Sequence, residues 1–523
     1  MSTEPLLIHP PPYLYSGRDP FGHVGDVVPI GLLAIAEYLQ DRGWQPVLLR
    51  LPVIGRLRAQ SRGGTLLEED WDAILRVALE RHPARVIGIQ CHWTHYAEGA
   101  TDVAARIRAL DPTRFILLGG VHAASLGRRL LEECAALDAV VLGEGELPME
   151  RLLESFRAID PSTRGSLRSS PLDAIPSLLT REEARAAAST SIARSVPALL
   201  AKEEIPPLRF DLSLLEPAHG AVFVGVPVVR GLCPKPCTYC ELNNRALFPR
   251  KQILLDDALE VQIAHAARAR VPLYLPENFI GGRPLARLLR RLHGLSDSGP
   301  IYVDCHPDML TDEAVDALGE VAASGTRLRL WLGLESGSPE VRRRAGRTYD
   351  ATRVFALRDR LLAAGIRPVA SFLVGLPGEG PDQLGETRAW IERWNERGLI
   401  ADVFPALAFP GTSLFLRPEE HGITLRMVRA RDFARLSRGW FAPLSTDPLT
   451  HTNGMLDESA VVRQVLALRL EQRQRLGAPL AQEVFTFMGH PAAPWNREQW
   501  MRAIESLEPH WPAGIDRPSL PSA

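Results

Sequence analysis

Short apolar runs alternate with amphipathic helical stretches from the start of this chain, and that alternation limits the folds open to it. Leu6-Leu7-Ile8, Val47-Leu48-Leu49, Val86-Ile87-Gly88-Ile89, 115–118 and 139–142 read as five strands. Between them, 29–39, 71–79, 100–110 and 126–134 carry apolar residues at helical spacing. Strands separated by whole helices cannot pair as hairpins. They build an α/β fold, a doubly wound and mostly parallel sheet with helices on its faces. Ligands of such sheets sit beyond the carboxyl ends of the strands. The loops 10–15, 91–96, 119–125 and 143–146 are expected on that edge, and the polar stretch 54–65, with Arg62, reads as a long loop.

The pattern weakens over 162–220, where Pro, Ser and short charged runs dominate, and resumes at 222–229. Further strands follow at 273–275, 301–303, 328–334, 368–374 and 403–408, with helices at 284–295 and 352–364. Six such strands predict a partial α/β barrel whose site again lies at the strand C-termini. After 411 the strand signal fades, and 460–475 and 497–507 read as helices. The expected organisation of the 523 residues is a Rossmann-like sheet domain over 1–160, a linker over 161–220, a (β/α)6 partial barrel over 221–417 and a mostly helical domain over 418–523.

Lys and Arg number 60 against 62 Asp and Glu, a net charge of −2 that argues against nucleic acid or an anionic membrane as the main partner. With a mean hydropathy of −0.05, no membrane span is expected. The first twelve residues carry no basic or apolar secretory segment, so a cytoplasmic location is expected. Six cysteines are too few for a disulfide scaffold. Cys91, Cys134 and Cys305 are scattered, whereas Cys233, Cys237 and Cys240 fall within eight residues.

That cluster reads Cys233-Pro234-Lys235-Pro236-Cys237-Thr238-Tyr239-Cys240, a C-x3-C-x2-C spacing on a loop after a predicted strand. Such thiols are metal ligands, a redox set or a coincidence. Structural zinc requires four ligands, and no Cys or His follows within the next twenty residues. A redox pair uses only Cys237 and Cys240. A [4Fe–4S] cube on three cysteines leaves one iron open.

Here the chain resembles the radical S-adenosylmethionine (SAM) superfamily. The triad with Tyr239 before its last Cys is accompanied, in order, by Gly333-Leu334-Glu335-Ser336-Gly337-Ser338, by Gly365-Ile366 with Gly375-Leu376-Pro377-Gly378-Glu379, and by Phe409-Pro410-Gly411-Thr412. The resemblance implies that Cys233, Cys237 and Cys240 hold a [4Fe–4S] cluster whose open iron chelates SAM. An electron from a donor such as flavodoxin or ferredoxin then gives a 5′-deoxyadenosyl radical. It implies SAM contacts from Glu335 and Ser336 and a meeting of Arg347 with the SAM carboxylate. Glu277, after the second barrel strand, is a candidate to accept the SAM ammonium or approach the open iron; its other reading is a helix cap. Tyr302, Asp304, Cys305 and His306 end the third strand and are expected to face one cavity, with Tyr302 and Asp304 as catalytic candidates.

In the first domain, Gly119-Gly120-Val121-His122-Ala123-Ala124-Ser125, the stretch 138–146 and Pro29-Ile30-Gly31-Leu32 resemble the cobalamin-binding domain fused ahead of many radical SAM domains. The resemblance implies that Gly119 and Gly120 let backbone approach the corrinoid, that His122 and Ser125 bond to it, and that Gly143, Glu144 and Gly145 border it. The D-x-H-x-x-G motif is absent, which implies no axial imidazole from that motif. Cys91, His92 and His95 have a spacing that suits a metal, but Trp93 and Tyr96 beside them suggest a packed cofactor edge.

Together these resemblances imply a cobalamin-dependent radical SAM C-methyltransferase. A methyl would pass from SAM through methylcobalamin to a carbon of a small-molecule or peptide-derived substrate in natural-product biosynthesis, the Arg-, Ala- and Pro-rich composition suggesting a GC-rich genome. An aromatic carbon such as the tryptophan indole is one candidate acceptor. The alternative on the same cofactors is a rearrangement or cyclisation without methyl transfer, and a metal-binding sensor is a third reading. No nucleic acid or membrane partner is expected. The C-terminal domain, with Trp440, His451 and Trp495, is expected to shape the substrate cavity.

Overall fold

The computed structural model describes residues 4–19, 27–158, 172, 175–186, 199–218, 222–223, 229–251, 253–254, 261–262, 264–265, 273–275, 282–291, 301–433, 436 and 449–476. The chain divides into two compact units. The first is drawn from 1–223, 244–250 and 428–440, and the second from 224–243, 251–427 and 441–523.

The first unit is built on β1 (Leu6–His9), α1 (Ile30–Gln40), β2 (Val47–Arg50), α2 (Leu51–Ser61), α3 (Glu68–Arg81), β3 (Val86–Gln90), α4 (Ala97–Leu110), β4 (Phe115–Gly119), α5 (Val121–Glu133), β5 (Ala139–Val141), α6 (Glu146–Ala158), β6 (Leu178–Thr180) and β7 (Leu215–Glu216). The seven strands run in the order β6-β5-β4-β3-β1-β2-β7. All pairs are parallel except β5 with β6. Leu6, Leu7, Ile8, Ile87 and Leu118 are buried, as the central strands of a sheet covered on both faces must be. Successive connections leave β1 in opposite directions, to β2 on one side and β3 on the other. The switch point therefore lies between the carboxyl ends of β1 and β3.

Two expectations are corrected here. The stretch 54–65 is not a loop: α2 spans Leu51–Ser61. Pro52 suits its first turn, and Leu51, Val53, Gly55 and Ala59 form a buried face against which Trp71 packs. The stretch 161–220 does more than connect, since β6 and β7 from it extend the sheet at both ends.

The second unit carries β8 (Leu273–Leu275), α7 (Arg283–Arg291), β9 (Ile301–Cys305), α8 (Asp312–Ala323), β10 (Leu328–Glu335), α9 (Ala351–Ala363), β11 (Val369–Val374), α10 (Pro381–Asn395), β12 (Ala401–Pro405) and α11 (Glu458–Leu476). Among the described residues its main sheet has five parallel strands in chain order, β8 to β12. Of the first expected barrel strand, 224–228 lie outside the described residues. Val222–Phe223 pairs parallel with Val27–Val28, and Val229–Arg230 pairs antiparallel with Ile253–Leu254. The helix expected at 497–507, Trp440 and Trp495 also lie outside them. His451 is buried, beside the Thr450 hydroxyl at 3.2 Å. No described helix is long and apolar enough to cross a membrane.

Candidate functional site

The carboxyl edge of the first sheet is unusually polar. His9, Arg50 and Gln90 end the adjacent strands β1, β2 and β3, and His9 and Arg50 are buried. His9 donates its Nδ1–H to Gln90 Oε1 at 3.0 Å across the switch point. Burial, with the Arg50 charge nearby, lowers its pKa to about 4 against the raising effect of Gln90, so the ring is neutral at pH 7. Arg50 donates to the Pro217 carbonyl at 2.9 Å. None of these three polar strand ends stands out in the sequence, where only the polarity of the last residue in each run marks them.

The loop after β3 carries the aromatic set expected there. Trp93 stacks on His95 at 5.4 Å and is 48% exposed, while Tyr96 approaches His9 at 5.2 Å. Cys91 is buried with its thiol pKa pushed up by desolvation, and burial lowers His92 to about 4. His122, in the first turn of α5, pairs Nδ1 with Thr94 Oγ1 at 3.0 Å and meets Phe433 edge-on at 5.7 Å. Burial lowers its pKa to about 3. Gly120 has φ +111°, and a Cβ there would stand 2.7 Å from His92 Cα, so the β4–α5 turn needs glycine for both reasons. Gly119 has open space beside it, with only Val141 Cβ at 3.8 Å from an added Cβ. Gly143 faces the Leu247 carbonyl and Gly145 faces Ile35. Besides His122, two further residues of the expected set have protein partners: Ser125 Oγ donates to the Val121 carbonyl at 2.7 Å, and Glu144 takes a two-pronged ion pair from Arg250 at 2.9 and 3.0 Å.

This edge fits a large polar ligand such as a corrinoid. His9 Nε2 and His122 Nε2 are buried with no protein hydrogen-bond partner among the described residues. Buried polar atoms rarely remain so, and a ring bearing many amides supplies partners.

In the second unit the cysteine loop is fixed by its backbone. Cys233 N–H donates to the Leu242 carbonyl at 2.7 Å, Cys240 N–H to Cys237 O at 3.3 Å, and Thr238 N–H to Ala345 O at 3.0 Å. Asn243 Nδ2 bonds the carbonyls of Lys235 and Cys237 at 3.1 and 2.7 Å. Tyr239 packs between two apolar clusters, Val341-Ala345-Leu376-Ala406 and Ala408-Leu414-Ile423, which anchors the loop centre. Cys233 and Cys237 are buried and Cys240 is half-buried. Among the described residues no three His, Cys, Asp or Glu groups converge as on a single metal ion. Three thiols on one loop are the donor set that a [4Fe–4S] cluster takes.

Beside the loop, Glu335 ends β10 with φ +66°, a conformation rare for a residue with a side chain and frequent at functional sites. Its buried carboxylate accepts from Ser371 Oγ at 3.3 Å and lies 3.8 Å from Arg347 Nη2. Arg347, fully buried, donates Nε and Nη2 to the Gly333 carbonyl at 3.0 and 2.6 Å and Nη1 to Cys237 Sγ at 3.6 Å. Ser336 Oγ pairs with Thr387 Oγ1 at 2.9 Å and accepts from Ser338 N–H, stiffening the turn after Glu335.

Register places Tyr302 and Asp304 opposite Arg329 and Trp331, hence on the same face as Gly333. The register shifts between Gly333 and Glu335, and the Glu335 carboxylate lies on the Gly333 side, its Oε1 2.7 Å from where a Gly333 Cβ would stand. Cys305 pairs with Leu332 on the opposite face and is buried, so the expectation that all four residues at the end of β9 face one cavity is corrected: successive strand residues alternate. His306 is buried against Tyr349, its Nδ1 accepts from Asp308 N–H at 3.2 Å, and its pKa falls to about 2 through burial and the Arg347 and Lys235 charges. Glu277 lies outside the described residues.

Comparison with known proteins agrees with both halves. Residues 23–153 match the B12 binding domain family, and residues 228–391 match the Radical SAM superfamily. A tRNA-2-methylthio-N(6)-dimethylallyladenosine synthase of Thermus thermophilus is 29% identical over 207 residues, 36% of this chain and 43% of that protein. The chain thus spans less than half the length of that curated relative. The fold is similar to the radical SAM methyltransferase TsrM of Kitasatospora setae, solved with cobalamin and a [4Fe–4S] cluster. The TM-score is 0.60 at 16% identity, covering 82% of this chain and 81% of that one. TsrM has also been solved with tryptophan substrate and a SAM analogue. The cobalamin-dependent SAM radical enzyme OxsB aligns with a TM-score of 0.57 at 15% identity, over 96% of this chain and 70% of that one. The chain therefore joins a B12-binding domain to a radical SAM domain, the architecture of the cobalamin-dependent radical SAM enzymes.

Proposed function

We propose that this protein is a cobalamin-dependent radical SAM C-methyltransferase, carrying a methyl group from SAM by way of the corrinoid to a carbon of a small-molecule or peptide-derived substrate. The observation that carries the reading is the joining, in one chain, of a B12-binding domain with a cysteine triad flanked by Glu335 and Arg347. The cluster and corrinoid supply one-electron and methyl-carrier chemistry; the chain's own residues bind, orient and exclude water. Cys233, Cys237 and Cys240 would hold the cluster. Glu335, in its constrained conformation, would orient SAM at the strand end. Tyr302 and Asp304, on the same sheet face, are the candidates to contact substrate or move its proton. His9, His122, Gly119 and Gly120 would border the corrinoid. The tryptophan bound by TsrM supports an aromatic carbon as the acceptor class, and natural-product biosynthesis is the proposed setting, with a flavodoxin or ferredoxin as electron donor.

The test is anaerobic reconstitution of the full chain with iron, sulfide and hydroxocobalamin, followed by incubation with methyl-labelled SAM, reductant and candidate acceptors including tryptophan. A product heavier by one labelled methyl supports the proposal. A product of unchanged mass with 5′-deoxyadenosine formed replaces it with the rearrangement reading. SAM left intact under all conditions overturns both.

A further inference from the structure

The geometry points to Arg347 as a residue that sets the redox potential of the cluster through Cys237, rather than as a clamp for the SAM carboxylate. This rests on the reading of Cys233, Cys237 and Cys240 as cluster ligands. The Arg347 side chain is 1% exposed, so its charge acts in a medium of low dielectric. Its Nε and Nη2 both donate to the Gly333 carbonyl, at 3.0 and 2.6 Å, and this double anchor fixes the plane of the guanidinium. The fixed plane aims Nη1 at Cys237 Sγ, 3.6 Å away. Glu335 stands farther off, at 3.8 Å, as a counter-charge.

The seat exists because residue 333 is glycine. A Cβ there would lie 2.0 Å from Arg347 Nη2 and 2.7 Å from Glu335 Oε1, so any side chain would push the guanidinium off its anchor. Backbone position 333, the guanidinium and the thiolate thus form one chain of contacts ending on sulfur. A cation donating a hydrogen bond to a ligating thiolate stabilises the state with more negative charge, which is the reduced one. Reduction adds one electron and neither makes nor breaks a bond at Arg347. The residue acts through Cys237, favouring uptake of the electron that the proposed chemistry needs.

The test uses the full chain, reconstituted with iron and sulfide, and follows the reduced-cluster resonance during a potentiometric titration without SAM. SAM affinity is measured separately by equilibrium dialysis. Arg347→Gln is expected to lower the potential, so that the reduced-to-oxidised ratio at a fixed potential falls by about tenfold while SAM affinity holds. Gly333→Ala, which keeps the charge but displaces it, is expected to shift the potential in the same direction, and it keeps the question answerable if Arg347→Gln does not fold. An unchanged potential in both variants with weakened SAM binding would overturn the proposal in favour of the clamp. Failure of the wild-type chain to take up iron and sulfide is a different result, because it removes the cluster reading itself.

Discussion

The side-chain amide of Gln472 grips the backbone of Ala401 as a neighbouring strand would. Its Oε1 accepts from Ala401 N–H at 2.5 Å and its Nε2 donates to the Ala401 carbonyl at 2.6 Å. Ala401 opens β12, the last strand of the five-stranded sheet, and Arg469 one turn earlier on α11 adds a bond to the Val403 carbonyl at 2.7 Å. Unpaired strand edges invite association, and α11 covers this one with side chains. Gln472→Leu leaves two buried backbone groups without partners and is expected to lower unfolding stability by about 2–4 kcal/mol. Denaturant unfolding checks this. A loss below about 0.5 kcal/mol would show that the two bonds do not stabilise the edge.

Glu379 gives a pH-dependent prediction. Burial raises its pKa to about 7, against the lowering effect of the Gly375 N–H at 2.6 Å and the Thr387 hydroxyl at 3.3 Å. The folded value lies above the unfolded one. The protonated carboxyl's contribution is therefore fully present below about pH 4.5 and is lost as pH rises through about 7. Glu379→Gln removes the ionisation, so the stability of the variant relative to wild type is expected to grow by about 1–3 kcal/mol between pH 5 and 8. Parallel unfolding curves at the two pH values, with no change in the difference, would refute it.

Most of the strands in both units are legible because each is a short apolar run and each helix has its own period, two signals that seldom conflict. Residues 51–61 escaped that reading because their buried face is made of Leu51, Val53, Gly55 and Ala59, too small and too mixed with Arg to look amphipathic. The cysteine triad is legible because its spacing is local. The polar strand ends His9, Arg50 and Gln90 are not, since they meet only when β1, β2 and β3 lie side by side. The pairing of Arg347 with Cys237 is not legible either, because that contact joins positions 110 residues apart.

Glu144 separates two roles that the sequence assigns to one loop. Its bidentate pair with Arg250, both side chains mostly buried, accounts for the carboxylate without any cofactor. If the pair is its whole role, Glu144→Gln and Arg250→Gln lower stability by similar amounts, about 1–2 kcal/mol, and the double variant costs little more than either. Cobalamin affinity, measured by absorbance titration, is expected to change equally in the two single variants. A loss of affinity confined to Glu144→Gln would return the residue to the corrinoid contacts.

The two glycines after β4 are expected to behave differently. At Gly120 an added Cβ would strike the backbone of residues 91 and 92 at 2.7–2.8 Å in a backbone conformation already closed to most side chains. Gly120→Ala should therefore lose about 2 kcal/mol or more of stability with or without cobalamin. At Gly119 the added methyl meets only Val141 Cβ at 3.8 Å, ordinary contact distance, so Gly119→Ala should fold with near wild-type stability. If the corrinoid packs against that backbone, the same methyl occupies the ligand's space, and cobalamin affinity should fall by about tenfold or more while the unfolding midpoint of the unloaded protein stays put. Absorbance titration with hydroxocobalamin, set beside thermal unfolding of the unloaded variants, reads both quantities. Unimpaired binding by Gly119→Ala would place the corrinoid away from this turn.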